Sequence, residues 1–212
     1  MRFIVKIGKG LNSSSEASWT IPHDSQKDRQ AKYSIPAPWY FLEVTQMPEY
    51  VAELRQAIEQ ATPLLHRMSE EMSRLRPQPD KWCPREVIGH LIDSASNNHQ
   101  RFVRAQFQDD LVFSGYEQDA WVSLQRYRDA PWEDLIALWR SFNLHIARIM
   151  DFVTIDERVR LRPRHNLDEL AWKPVPRDEP ATLDYFMSDY VAHLKHHLAQ
   201  IGIRPASSPS PQ

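Results

Sequence analysis

The chain has 212 residues, of which 42% are hydrophobic and 25% charged, and its formal net charge at pH 7 is −2. This balance is ordinary for a globular protein with one sizeable core, and it gives no reason to expect a nucleic-acid partner. The single cysteine, Cys83, excludes an intrachain disulfide framework. Because the chain has no run of 18 apolar residues and no signal-peptide pattern at Met1, we expect a cytoplasmic protein that does not span a membrane.

The first 46 residues differ in composition from the remainder. They contain three consecutive serines at 13–15, a polar stretch at 23–32 and the prolines at 36 and 38, without helical or strand periodicity. We predict a disordered N-terminal extension over 1–46. A second interpretation is that translation normally begins at Met47.

Helical patterns begin after residue 47. Pro48–Ala61 forms a short amphipathic stretch. Thr62 and Pro63 then have the residue types of an N-cap and a first helical position, which predicts a second helix that ends near Leu75.

The next helix is predicted from Cys83–Glu86, which has the layout of a capping box, to about Gln108. Its cap should be weak because cysteine stands where serine or threonine is usual. A connection with a short helix is predicted at 110–130, followed by a helix from about Ala130 to Val153. A charged, proline-rich excursion at 154–180 comes next. The last helix runs from about Thr182 to Ile201, and a disordered tail is predicted at 204–212. Four main helices, each with one apolar face, predict an all-α four-helix bundle domain over 47–203.

The last predicted helix carries three histidines, of which two share a face. His193 and His197 are four residues apart, so their side chains lie one above the other and can reach one metal ion. At 100° per residue both fall within the apolar arc of the helix, whereas His196 lies at its margin and is the weaker ligand candidate.

His90, on the helix that begins near Pro84, provides a third inward-facing imidazole. It shares a face with Ser94, Asn98 and Arg101, and these polar groups predict a cavity within the bundle. An inward histidine is more often a core residue with a hydrogen-bond partner, and an i, i+4 pair is common by chance. The residues alone therefore leave a metal site and ordinary core histidines as two open interpretations.

Three motifs resemble those of the DinB/YfiT-like superfamily of proposed metalloenzymes, and are closest to its YfiT-like branch. They are Trp82-x-Pro84-Arg85-Glu86-Val87-x-x-His90-Leu91-x-Asp93, Tyr116-x-x-x-Ala120-Trp121 and His193-x-x-x-His197-x-x-Gln200-Ile201. The resemblance covers about 48–203 and implies an up-down-down-up four-helix bundle. It also implies a metal held by one histidine of the second helix and two of the last, which here are His90, His193 and His197.

Three imidazoles on a divalent ion leave a coordination position open, as in catalytic sites. Zinc or nickel is expected from the ligand type, with iron or manganese as alternatives. The open position would suit either a water nucleophile or a deprotonated thiol. The resemblance implies the same two activities, metal-dependent hydrolysis and transfer of a low-molecular-weight thiol such as bacillithiol or mycothiol.

Residues 194–196, between the two ligands of the last helix, include no carboxylate. A His-Glu-x-x-His helix would carry a general base there, and its absence favours thiol activation, which needs no further base. We therefore expect S-transfer from a small thiol to an electrophilic substrate. The alternatives are a hydrolase and a non-catalytic metal-binding stress-response module, and the protein could form a homodimer.

Four other residues are candidates for roles near the site. Glu86 could complete the helix cap or act as a base. Asp93 could also act as a base, or it could orient a ligand imidazole or form a surface ion pair. Arg101 could bind an anionic substrate group or pair with a buried carboxylate. Cys83 at a helix N-terminus would have a lowered thiol pKa.

Overall fold

The computed structural model describes residues 47–204, so the predictions for 1–46 and for the tail from 205 concern residues outside the described part. The described helices are α1 (Glu49–Arg67), α2 (Pro84–Ala105), α3 (Gln118–Leu124), α4 (Trp132–Asp151), α5 (Ile155–Val159), α6 (Leu167–Leu170) and α7 (Leu183–Gln200), with 3₁₀ turns at Met72–Arg74 and Tyr127–Asp129. Over these same residues β-pairing is limited to two isolated bridges, Leu111 with His165 and Arg162 with Ala181. None of the described helices has the length and hydropathy needed to cross a membrane.

The four long helices form a bundle in which α1 and α2 each pack mainly against α4 and α7. Helices α1 and α2 are therefore diagonal to each other. The space between the four helices is filled by a continuous apolar core, in which Trp132, Trp139 and Phe102 are the largest buried apolar side chains. Burying each such side chain contributes about 2–3 kcal/mol.

Contacts at the helix ends give the direction of α4. The Trp132 indole, at the start of α4, donates to the Leu65 carbonyl near the end of α1 at 3.1 Å, so these helices are antiparallel. Arg85, in the first turn of α2, donates to the Ala130 carbonyl just before α4 begins. Because the starts of α2 and α4 meet, these two helices are parallel.

The direction of α7 follows from contacts with α2. Phe102, near the end of α2, meets Phe186, near the start of α7, edge to face with ring centroids 5.6 Å apart. At the opposite end, His90 lies beside His193. The two helices are therefore antiparallel, and the bundle runs up-down-down-up. This confirms the predicted fold class.

The predicted helix start at Thr62 and Pro63 is wrong. Pro63 instead lies inside α1, in its last turns. The apolar stripe of α1 continues through Ala61 and Leu65, both fully buried, and the Thr62 hydroxyl donates to the Ile58 carbonyl at 2.7 Å. Burial of these side chains outweighs the one backbone hydrogen bond that proline removes, a loss that is small so near a helix end.

Helix α2 begins at Pro84, as the capping box predicts. The Glu86 carboxylate accepts from the Cys83 backbone N–H at 2.8 Å, and the Cys83 side chain accepts from the Glu86 backbone. The expected lowering of the Cys83 thiol pKa is wrong. The thiol is fully buried, and that burial raises its pKa despite the helix N-terminus.

The excursion between α4 and α7 is folded onto the bundle. Arg162 is 1% exposed and donates to the Ala105 carbonyl at the end of α2, at 3.1 Å. The Asp189 carboxylate, one helical turn before His193, accepts from the backbone N–H groups of Trp172 and Lys173 at 2.8 and 2.9 Å. The excursion is thereby held against α7 beside the histidines.

Candidate metal centre

Three histidines from two antiparallel helices meet near one end of the bundle. Nε2 of His90 lies 3.3 Å from Nε2 of His193. One ring nitrogen from each of His90, His193 and His197 lies within 4.8 Å of the others. The ring centroid of His197 lies 4.6 Å from that of His90 and 4.4 Å from that of His193. The described residues therefore include a group of three imidazoles that could hold a metal ion.

The spacing of these nitrogens fits a first-row divalent ion. With metal–nitrogen bonds of about 2.0–2.1 Å, two imidazoles of a tetrahedral site have their nitrogens about 3.3 Å apart. His90 and His193 already have this separation. The His197 nitrogen lies within 4.8 Å of the other two, so the third ligand is also close to this range.

The charge state of the imidazoles also fits metal binding. Burial lowers the pKa of His90 to about 3 and that of His193 to about 2, with the neighbouring histidines adding to both shifts. Burial also lowers the pKa of His197. At neutral pH the three rings are therefore uncharged, as metal ligands must be.

Gln200 determines which nitrogen His197 offers. Its side-chain oxygen lies 2.9 Å from Nδ1 of His197, while its side-chain nitrogen lies 3.0 Å from Nε2 of His196. An amide oxygen only accepts, so Nδ1 of His197 carries the hydrogen and Nε2 keeps its lone pair. His196 is exposed and lies outside the group of three.

Trp82 covers the histidine cluster on one side. Its ring centroid lies 5.0 Å from that of His90 and 6.4 Å from that of His197. No site role for Trp82 was predicted from the sequence, although this residue begins the motif that contains His90. The indole shields two of the three imidazoles from water.

Two cavities meet at His197. A polar cavity of about 550 Å³ is lined by His193, His197, Ser94, Asn98, Arg101 and Tyr116, among others. A more apolar cavity of about 710 Å³ is lined by His197 together with Trp82, Met72 and Leu75. Small molecules of different polarity can therefore approach the cluster from two sides.

Glu86 caps the N-terminus of α2. It is 6% exposed, one carboxylate oxygen lies 2.5 Å from the Arg76 guanidinium, and the other accepts from the Cys83 backbone. Hydrogen bonding to these groups lowers its pKa, although burial opposes the shift. Both oxygens are occupied, which leaves little capacity for work as a base.

Asp93 is 3% exposed, so the predicted alternative that it forms a surface ion pair is wrong. Its Oδ1 accepts from the Tyr127 hydroxyl and the Gln125 amide, both at 2.7 Å. Within residues 47–204 its hydrogen bonds do not reach a histidine. Burial raises the pKa of the Asp93 carboxyl. Neither partner was predicted from the sequence, because both lie more than 30 residues further along the chain.

The chain belongs to the DinB superfamily, whose family model matches residues 53–201 and so includes all three histidines. A similar protein is YfiT of Bacillus subtilis (strain 168), a proposed metal-dependent hydrolase, which is 23% identical over 155 residues, or 73% of this chain and 78% of YfiT. The solved structure of YfiT, described as having an unusual four-helix bundle topology, superposes with a TM-score of 0.62 at 20% identity, covering 79% of this chain and 90% of that chain. These findings confirm the resemblance that the motifs predicted.

Proposed function

We propose that the chain is a metal-dependent enzyme in which His90, His193 and His197 hold a divalent ion. The observation that carries the proposal is the convergence of three uncharged imidazoles, one fully buried and two half-buried, beside two cavities. Zinc and nickel are the ions we expect, and iron or manganese would also suit imidazole ligands. With three protein ligands, such an ion has a position open to a substrate atom and supplies Lewis acidity there.

The reaction we propose is transfer of a low-molecular-weight thiol to an electrophile. The S–H bond of the thiol breaks and a sulfur–carbon bond forms. The leaving group departs with the electron pair of its bond to carbon, and the thiol proton passes to the leaving group or to water. Trp82 restricts water at one side of the cluster, which favours attack by sulfur over attack by water.

Two features support a thiol over a water nucleophile. Activation of water benefits from a nearby base. Of the carboxylates closest in sequence to His90, Glu86 is engaged through both oxygens, whereas Asp93 accepts two hydrogen bonds at Oδ1, keeps Oδ2 buried, and does not hydrogen-bond to a histidine within residues 47–204. A two-substrate reaction also fits two cavities of different polarity that share His197.

Hydrolysis is the second candidate function. Its support is the description of YfiT as a proposed metal-dependent hydrolase, together with Glu117. Glu117 is exposed and lines the same polar cavity as His193 and His197, where its carboxylate could accept a proton from water. The water would add to the scissile bond, and its proton would pass through Glu117 to the leaving group.

Metal analysis of protein purified without an affinity tag tests the ligand assignment. We expect close to one equivalent of divalent ion for the wild type and a loss of most of it in His193→Ala. His145→Ala removes an exposed histidine of α4 and is the matched control. Unchanged metal content in His193→Ala would refute the assignment.

The metal-loaded protein should then be incubated with 1-chloro-2,4-dinitrobenzene and, in turn, bacillithiol, mycothiol or glutathione. Conjugation that requires both metal and thiol is the expected result. Metal-dependent cleavage of 4-nitrophenyl acetate without any thiol would support the hydrolase instead. Full metal occupancy without either reaction would support a non-catalytic metal-binding module.

The domain limits at 47–203, the cytoplasmic location and the homodimer stay predictions.

A further inference from the structure

Arg101 is a buried cation whose protein partners within residues 47–204 are neutral. Arg101 is 6% exposed. One guanidinium nitrogen donates to the Ser114 carbonyl at 2.8 Å, and another lies 3.4 Å from the Asn98 side-chain oxygen. A guanidinium has five N–H donors, so most of its donor capacity is free for another group. Burial of a charge without a counter-ion is costly, and burial lowers the pKa of this guanidinium.

The two other buried arginines of the described residues each form an ion pair with a carboxylate. Arg85 is fully buried and pairs with Glu70. Arg162 is 1% exposed and pairs with Glu157 at 2.9 Å. The fold supplies a carboxylate to each of these, so the lack of one at Arg101 indicates that its counter-ion comes from outside the described bundle.

Arg101 lies on the same face of α2 as His90. Eleven residues at 100° each return the helix to within about 20° of the starting direction, about 16 Å along the axis. An arginine side chain spans about 6–7 Å and leans towards the helix N-terminus, so the guanidinium lies on the order of 10 Å from the histidine cluster. Ser94 and Asn98 line the polar cavity between the two.

Three carboxylates line the same cavity, and none of them neutralises Arg101. Asp189 accepts two backbone N–H groups of the excursion. Glu169 pairs with Arg177 at 2.6 Å, and Glu117 is exposed. None of the three forms an ion pair with Arg101, whose hydrogen-bond partners within residues 47–204 are neutral.

We propose that Arg101 binds the carboxylate of a small-molecule substrate whose other end reaches the histidine cluster. Arginine suits this role because its planar fork matches a carboxylate with two parallel hydrogen bonds. The inference rests on the proposed function and makes it more specific. The thiol is one that carries a carboxylate on the order of 10 Å from its sulfur, which a cavity of about 550 Å³ accommodates.

Calorimetric titration of the full chain with S-methylglutathione tests the carboxylate site apart from thiol activation, because this probe has carboxylates but no free thiol. We expect measurable binding to the wild type. Binding should be weaker by at least about tenfold in Arg101→Met, and the diethyl ester should bind the wild type more weakly by a similar factor. Arg104→Met, at an exposed arginine of the same helix, should bind like the wild type.

Arg101→Lys keeps the positive charge and should recover part of the lost affinity. If Arg101→Met weakens binding of the acid and of its ester by the same factor, the loss comes from altered packing and the proposal is overturned. Absence of binding to the wild type, or equal binding of the acid and its ester, overturns it as well. Should Arg101→Met fail to fold, the comparison of acid and ester on the wild type decides. If Arg101 discriminates the acid while glutathione is never conjugated, the carboxylate site stands and thiol transfer fails.

Discussion

The amide of Gln200 joins two neighbouring histidines of α7, with its oxygen 2.9 Å from Nδ1 of His197 and its nitrogen 3.0 Å from Nε2 of His196. The second contact fixes the orientation of the amide, and the first fixes the tautomer of His197. Partners of this kind orient a ligand imidazole and raise its basicity. Gln200 is therefore a positioning residue for the proposed metal site, although it lies outside the group of three.

Gln200→Ala should weaken metal binding by about 10- to 100-fold, because His197 loses the acceptor that holds its ring. Competition with a chromophoric chelator measures the change. Gln200→Glu retains an acceptor and should stay close to the wild type. His196→Ala should have a smaller effect than Gln200→Ala, since the Gln200 oxygen is still present although the contact that orients the amide is lost. Equal affinities for Gln200→Ala and the wild type would contradict this role.

Gly89→Ala should destabilise the fold by about 2–3 kcal/mol, because a methyl group there overlaps the Tyr127 side chain. A Cβ at position 89 would lie 2.8 Å from the Tyr127 Cβ and closer still to its ring. Urea unfolding followed by circular dichroism gives the difference. Gly115→Ala is the matched control, because its Cβ would lie at an ordinary 3.5 Å from Leu170. If both variants unfold at the same urea concentration, the contact with Tyr127 is not a constraint.

The Cys83 thiol should react slowly with 5,5′-dithiobis(2-nitrobenzoic acid) in the native protein at pH 7–8. It is fully buried and burial raises its pKa, so little of the reactive thiolate is present in this range. Raising the pH increases the thiolate fraction and hence the rate, although access still requires the helix start to open. Unfolding in guanidinium chloride should release one fast-reacting thiol per chain. Fast labelling of the native protein at pH 7 would contradict the described environment.

Metal binding should raise the thermal unfolding temperature of the wild type. An ion that binds the folded state alone adds about 2.7 kcal/mol at a free concentration 100 times its dissociation constant. For a chain of this size that corresponds to a shift of about 5–10 °C. Chelation should reverse the shift. His193→Ala should show none of it, and His145→Ala should retain it. A shift that persists in His193→Ala would place the ion elsewhere.

Much of the fold could be predicted from sequence because each long helix has one apolar face and ends in recognisable residues. The start of α2 at Pro84 follows from local chemistry that the structure retains. The i, i+4 spacing of His193 and His197 likewise predicts that their rings adjoin, and their centroids are 4.4 Å apart. The third histidine could be assigned only through resemblance to a family, since His90 lies 103 residues from His193.

The wrong predictions share one cause, which is that tertiary contacts outweighed a local signal. Pro63 has the residue type of a helix start, yet burial of Leu65 carries α1 past it. Helix position lowers a thiol pKa, yet desolvation of Cys83 prevails. The partners of Asp93 could not be predicted at all, because Tyr127 approaches it through a turn that periodicity does not describe.

The separation of His90 from His193 by 103 residues has a consequence for biosynthesis. A chain emerging from the ribosome exposes His90 long before α7 exists, and an isolated imidazole holds a divalent ion weakly. The complete site arises only when α7 has been made and has docked antiparallel to α2. If the three histidines hold a metal ion as proposed, metal loading would be a late event in maturation, and cellular metal content would report the fraction of chains that have finished folding.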